Sequence, residues 1–146
     1  MARIERSAAG VVAGPIWIAA DGTNVAFPEA GWSDFPVVLL GRWLPSLGRL
    51  RDRGQAADCQ FMDGPYRFTV ASVAPNAWRI ACFEGREGPS VSNAVAEWSV
   101  DAGAFLHSGL AAARAVLGYC DGRGWWDDDT DRLRAAIAVV DPAAGS

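Results

Sequence analysis

Apolar positions recur along this chain at two spacings, and the changes between them divide it into strand-like and helix-like stretches. Gly14-Pro15-Ile16-Trp17-Ile18-Ala19-Ala20 and Thr23-Asn24-Val25-Ala26-Phe27 flank an Asp21-Gly22 pair. Asp-Gly accepts the positive φ values of a type I′ turn, so this segment reads as a β-hairpin. Phe35 to Leu40 is an unbroken apolar run that starts at Pro36 and is closed by Gly41. It is expected to be a buried strand, the alternative being a helix that starts at Asp34 with Pro36 in its first turn. From Arg42 onward Trp43, Leu44, Leu47 and Leu50 form a helical stripe, and Gly54 stops it. Pro45 fits a helix only near the beginning, where its missing N–H would have served no acceptor. The helix is therefore expected to begin at about Gly41 or Arg42, which favours the strand upstream.

Cys59-Gln60-Phe61-Met62 leads into Asp63-Gly64-Pro65, a bend that re-aims the chain. Beyond it Tyr66, Phe68 and Val70 alternate with Arg67, Thr69 and Ala71, at the period of a half-buried strand. Pro75-Asn76 makes a turn, and Trp78, Ile80 and Cys82 continue the alternation against Arg79, Ala81 and Phe83. A polar loop from Gly85 to Ser90 precedes a third strand around Ala94 to Val100, and the three strands read as an antiparallel meander. Asp101 is placed to cap a helix in which Leu106, Leu110, Ala113, Leu117 and Cys120 recur every three or four residues, ending near Gly122 or Gly124. That helix is expected to lie on the apolar face of the meander. A last helix carries Leu133, Ala136, Ile137 and Val140 on one face and stops at Pro142, leaving residues 142–146 as a frayed tail. The expected fold is one α+β domain over residues 1–146, an antiparallel sheet of about five or six strands with helices packed on one face.

Composition narrows the chemistry. A chain of 146 residues, 51% hydrophobic and 21% charged, can bury on the order of 70% of the surface it exposes when unfolded. Its longest apolar stretches fall well short of the ~18 consecutive residues of a membrane span, so no membrane partner is expected. Met1 to Arg6 sets an acid between two arginines, and Val11 to Ala20 is broken by Gly14-Pro15. Neither segment makes a signal peptide, which points to the cytoplasm. Net charge is −4 and no uninterrupted basic tract occurs, so direct contact with nucleic acid is not expected. Every basic residue is Arg, which removes lysine chemistry and the usual phosphate-binding loop together. Cys59, Cys82 and Cys120 lack metal or redox spacing and sit in apolar segments, as buried reduced thiols would.

Near the C-terminus, Gly124-Trp125-Trp126-Asp127-Asp128-Asp129-Thr130-Asp131 sets two indoles beside four carboxylates. One Asp can cap the last helix and the others can favour its N-terminal dipole. Since one cap suffices, the surplus charge beside Trp125 and Trp126 also suits a contact surface for a basic partner. The tract lacks the glycine and distal glutamate of a calcium loop, and neither a metal nor another cofactor is expected. His107 is the single histidine and falls on the less apolar side of its helix. With Asp63 explained by a bend and Cys59 by burial, no catalytic set is assigned, and these three residues are not expected to share an accessible pocket.

Trp32-x-Asp34-Phe35-Pro36, Trp43-Leu44, Phe61-Met62-Asp63-Gly64-Pro65-Tyr66, Trp78 and Gly124-Trp125 together form a pattern over most of the chain. It resembles that of small bacterial immunity proteins encoded beside polymorphic toxins. The resemblance implies a small acidic α+β protein of the cytoplasm that binds and neutralises a cognate toxin domain without catalysis. A toxin with a basic surface would meet Trp125, Trp126, Asp127, Asp128, Asp129 and Asp131, together with Glu84, Arg86 and Glu87 from the polar loop. The alternative is a small-molecule-binding or minor enzymatic domain. It would use a pocket between sheet and helices lined by Trp17, Tyr66 and Trp78, with Asp63 or His107 as the polar group.

Overall fold

The computed structural model describes residues 4–7, 10–20, 23–85 and 94–141. Five short strands come first: β1 (Glu5–Arg6), β2 (Val12–Pro15), β3 (Ile18–Ala19), β4 (Ala26–Phe27) and β5 (Ser33–Asp34). Helix α1 (Pro36–Arg53) follows, then β6 (Ala57–Gln60), β7 (Tyr66–Ala74), β8 (Ala77–Glu84), β9 (Ala96–Asp101), α2 (Ala102–Arg123) and α3 (Asp128–Val140). The class is α+β and every strand pair is antiparallel. The strands form a four-stranded meander in the order β6-β7-β8-β9, a three-stranded sheet β1-β2-β5 and the β3-β4 pair.

The unbroken apolar run after Phe35 is helical, not a strand. Phe35 is the N-cap residue, Pro36 opens the helix, and the Leu39 N–H donates to the Phe35 carbonyl at 2.9 Å. Proline at the first helical position costs nothing, because its N–H would have had no intrahelical acceptor. The run hides its period because no polar residue falls between Pro36 and Gly41, and the exposed face of α1, with Arg42, Arg49 and Arg53, begins only after it. Pro45 lies in mid-helix and forgoes the bond to the Gly41 carbonyl, and packing outweighs that loss. Gly54, at φ 71°, closes the helix with its N–H on the Leu50 carbonyl.

The meander takes its strands from the expected alternation, with β6 added as a short edge that its four residues had not announced. Cys59 pairs with Phe68 and Phe68 with Cys82, while Val70 pairs with Ile80 and Ile80 with Trp98. Cys59, Val70, Ile80 and Cys82 are fully inaccessible on this inner face. The helix that covers it is α1, which packs on β6 and β7. The expectation that the Leu106 to Cys120 helix would do so is corrected: α2 packs on α1 and α3 and reaches the sheet chiefly at β9. Arg67 also departs from the simple alternation. It stands on the outer face but is 4% exposed, its guanidinium 4.4 Å from the Phe83 ring centre and 3.7 Å from Asp58.

Helix α3 runs alongside α1 in the same direction. Gly41 faces the backbone of Leu133, and seven residues on Gly48 faces Val140, also seven residues further along its own helix. At Gly48 the absent side chain lets the two helices approach closely, since a Cβ there would stand 3.2 Å from Val140. Arg51 closes the far end of α3 by donating to the Val140 carbonyl at 2.7 Å, and Arg114 pairs with Asp141. Ile18 pairs with Phe27 and Ala19 with Ala26, as the hairpin reading requires. Gly14-Pro15 belongs to β2 and pairs with β5 instead, and Asp21-Gly22 and the 142–146 tail lie outside the described residues.

Candidate functional site

The α2–α3 corner is built by two caps. Gly124, at φ 68°, ends α2 in the left-handed conformation that lets its N–H reach back to Asp121 and Cys120. Trp125 N–H then bonds the Cys120 carbonyl at 3.0 Å, and its half-buried ring packs beside Tyr119, over which the Arg123 guanidinium lies at 3.5 Å. Asp127 caps α3 by accepting from the Thr130 N–H at 2.9 Å, while Thr130 Oγ1 accepts from the Asp127 N–H at 2.9 Å. This reciprocal pair holds the fully buried Thr130 in place of the usual Glu or Gln.

The remaining carboxylates divide in two. Asp129 lies 3.7 Å from Arg132 on the same helix. Asp128 and Asp131 are exposed in the first turn and make no ion pair among the described residues, where the helix dipole favours them. Trp126 is 64% exposed, yet its indole N–H is fixed at 3.0 Å to Asp121, which also accepts from Arg134 at 2.8 Å. The Arg134 hydrogen bond holds the Asp121 carboxyl below its ordinary range, opposed by desolvation and aided by Trp126. Asp121 and Arg134 had no signal in the sequence, since they meet only through the angle between the two helices.

Glu84 is exposed at the end of β8, opposite Tyr66, on an element separate from the corner; Arg86 and Glu87 lie outside the described residues. Cys59 is sealed beneath α1, His107 is exposed on α2, and Asp63 is exposed in the β6–β7 turn. Burial pushes the Cys59 thiol far above its ordinary range and the Cys82 thiol up to about 12. No group of three or more His, Cys, Asp or Glu side chains among the described residues is placed to hold a metal ion.

The motif residues Trp32, Asp34 and Asp63 to Tyr66 form a joint around the buried Asp34 carboxylate. Asp34 is 2% exposed; one oxygen accepts the Phe35 N–H at 2.8 Å, the other the Trp32 indole N–H at 3.2 Å and the Asp63 N–H at 3.0 Å. Gly64, at φ 75°, is required there twice over: a Cβ would stand 2.7 Å from the Tyr66 ring. Tyr66 packs edge-on against Phe27 and Trp32, and Trp43 against Phe61 and Phe68.

The proposed concave lining of Trp17, Tyr66 and Trp78 does not assemble. Tyr66 belongs to this joint, Trp78 is buried against Phe105, and Trp17 alone borders a cavity. That cavity, about 650 Å³, is bounded by the β3 region, α1, the first half of α2 and β9. Its walls include Trp43, Leu44, Phe68, Trp98 and Phe105, drawn from distant parts of the chain. No helix among the described residues is long and apolar enough to cross a membrane. Comparison of the chain with protein-family models, curated proteins and solved structures gives no significant match.

Proposed function

We propose that the protein is a non-catalytic immunity protein of the bacterial cytoplasm, binding and neutralising a cognate toxin domain through the α2–α3 corner. One observation carries this reading: Trp126 is held outward by its hydrogen bond to Asp121 instead of folding onto the core. A large aromatic fixed in one orientation loses little entropy on binding and so serves as an anchor. Around it Asp128 and Asp131 exceed what the cap requires, and they complement a basic surface.

The test is co-expression with the product of the neighbouring gene. The reading expects co-purification and rescued growth, faster dissociation for Trp126→Ala, and slower, less salt-sensitive association for the Asp128→Asn, Asp131→Asn variant. Unchanged rates in folded variants would remove the corner from the interface, and failure to form any complex would remove the inhibitor reading itself. The alternative of a small-molecule-binding domain is favoured by the cavity beside β9.

A further inference from the structure

On the inner face of the meander, cover is uneven. Ile80 and Trp78 of β8 are inaccessible beneath the helices, but their partners on β9, Trp98 and Val100, remain half-exposed. Helix α2 leaves the end of β9 and turns across this strip. It presents Ala104, Ser108 and Ala112 at four-residue spacing to the space, where larger side chains would fill it. Trp17 and Ile18 close the opposite wall, and Leu40, Trp43 and Leu44 of α1 form the back. The resulting volume, about 650 Å³, is within the range of small-molecule sites.

Two features of the lining define what fits. The first is charge: among the described residues no arginine borders the cavity, and the single ionisable side chain is Asp101, whose carboxylate is engaged by the Ala104 N–H at 2.8 Å. An anionic ligand would find no counter-charge there and would meet a carboxylate. The second is apolarity: Trp17, Leu44, Trp98, Val100 and Phe105 make up much of the wall. We propose that this cavity binds a neutral, largely apolar small molecule. The site is separate from the α2–α3 corner, so it stands or falls independently of the inhibitor reading.

Nile red is a suitable probe, being neutral and apolar, carrying a ring carbonyl, and brightening on leaving water. Titrated into the full chain, it is expected to bind saturably at one site. Methyl decanoate should displace it and decanoate should not. Ala112→Phe and Ser108→Leu, which fill the space from exposed helical positions, should abolish binding while leaving far-ultraviolet circular dichroism unchanged. Binding that survives both filling variants overturns the site. Equal displacement by decanoate overturns the charge argument.

Discussion

The backbone N–H of Asp63 donates to the buried carboxylate of Asp34 at 3.0 Å, tying the β6–β7 turn to the strand that leads into α1. Three donors converge on that carboxylate, from the Trp32 indole, Phe35 and Asp63, so both of its oxygens are committed. A carboxylate suits this position better than an amide, because each oxygen must accept. Asp34→Ala should cost about 3 kcal/mol or more in urea unfolding, since it leaves buried donors unpaired as well as removing their bonds. Asp34→Asn should also destabilise, because its NH₂ must face a donor. Wild-type stability in the Asn variant would show that one oxygen is dispensable.

The corner's carboxylates should separate in the same assay. Asp127→Ala removes the reciprocal cap with Thr130 and should lower stability by about 0.5 to 2 kcal/mol. Asp128→Asn and Asp131→Asn should each change it by no more than a few tenths, the worth of an exposed charge near the dipole. Equal effects at all three positions would contradict the assignment of Asp127 as the cap.

Between α1 and α3, Gly41 has room for a methyl group: a Cβ there would meet the Leu133 backbone at 3.7 Å, ordinary contact distance. Gly41→Ala should therefore stabilise the protein by about 0.5 to 1 kcal/mol through helix propensity. Leu133→Ala, on the facing helix and fully buried, should cost about 2 to 5 kcal/mol. Thermal unfolding of the two variants reads both signs, and a destabilised Gly41→Ala would mean that the interface cannot yield even slightly.

The buried thiols make stability fall at alkaline pH. Burial raises Cys59 and Cys82 above their ordinary value of 9.0, so the folded state keeps protons that the unfolded chain releases. Their contribution is fully present below about pH 9 and declines as pH rises from there toward the folded values. Each thiol should remove about 1.4 kcal/mol per pH unit over that window. Urea midpoints at pH 8 and pH 10.5 should diverge in the wild type and converge in Cys59→Ala, Cys82→Ala; an unaltered pH difference would place the effect elsewhere.

Sequence reading succeeded where an element declares its own ends or its own period. Asp101 and Gly124 bound α2 as its capping chemistry required, and Leu106, Leu110 and Ala113 face inward at the expected spacing. It failed for the start of α1 because periodicity measures the contrast between two faces, and Pro36 to Gly41 carry no polar residue; the contrast begins only with Arg42 and Arg49. The strip β6 was too short to establish alternation. For the sites, the corner's indoles and carboxylates are contiguous and hence legible, whereas Asp121 and Arg134 join across an interhelical angle. The cavity was least legible of all, since its walls come from β3, α1, β7, β9 and α2 and its defining property is volume left unfilled.

Uneven burial of the indoles gives the protein two optical reporters of its own. Trp126 is 64% exposed at the corner and Trp17 40% exposed at the cavity rim, while Trp43 and Trp78 are sealed in the core. Collisional quenching by acrylamide should fall mainly on the first two. Iodide should quench Trp17 more readily than Trp126, because Asp121, Asp128 and Asp131 repel it electrostatically. A macromolecule seated on the corner and a ligand in the cavity would therefore dim different fractions of the same emission band, and each can be followed in solution without a label.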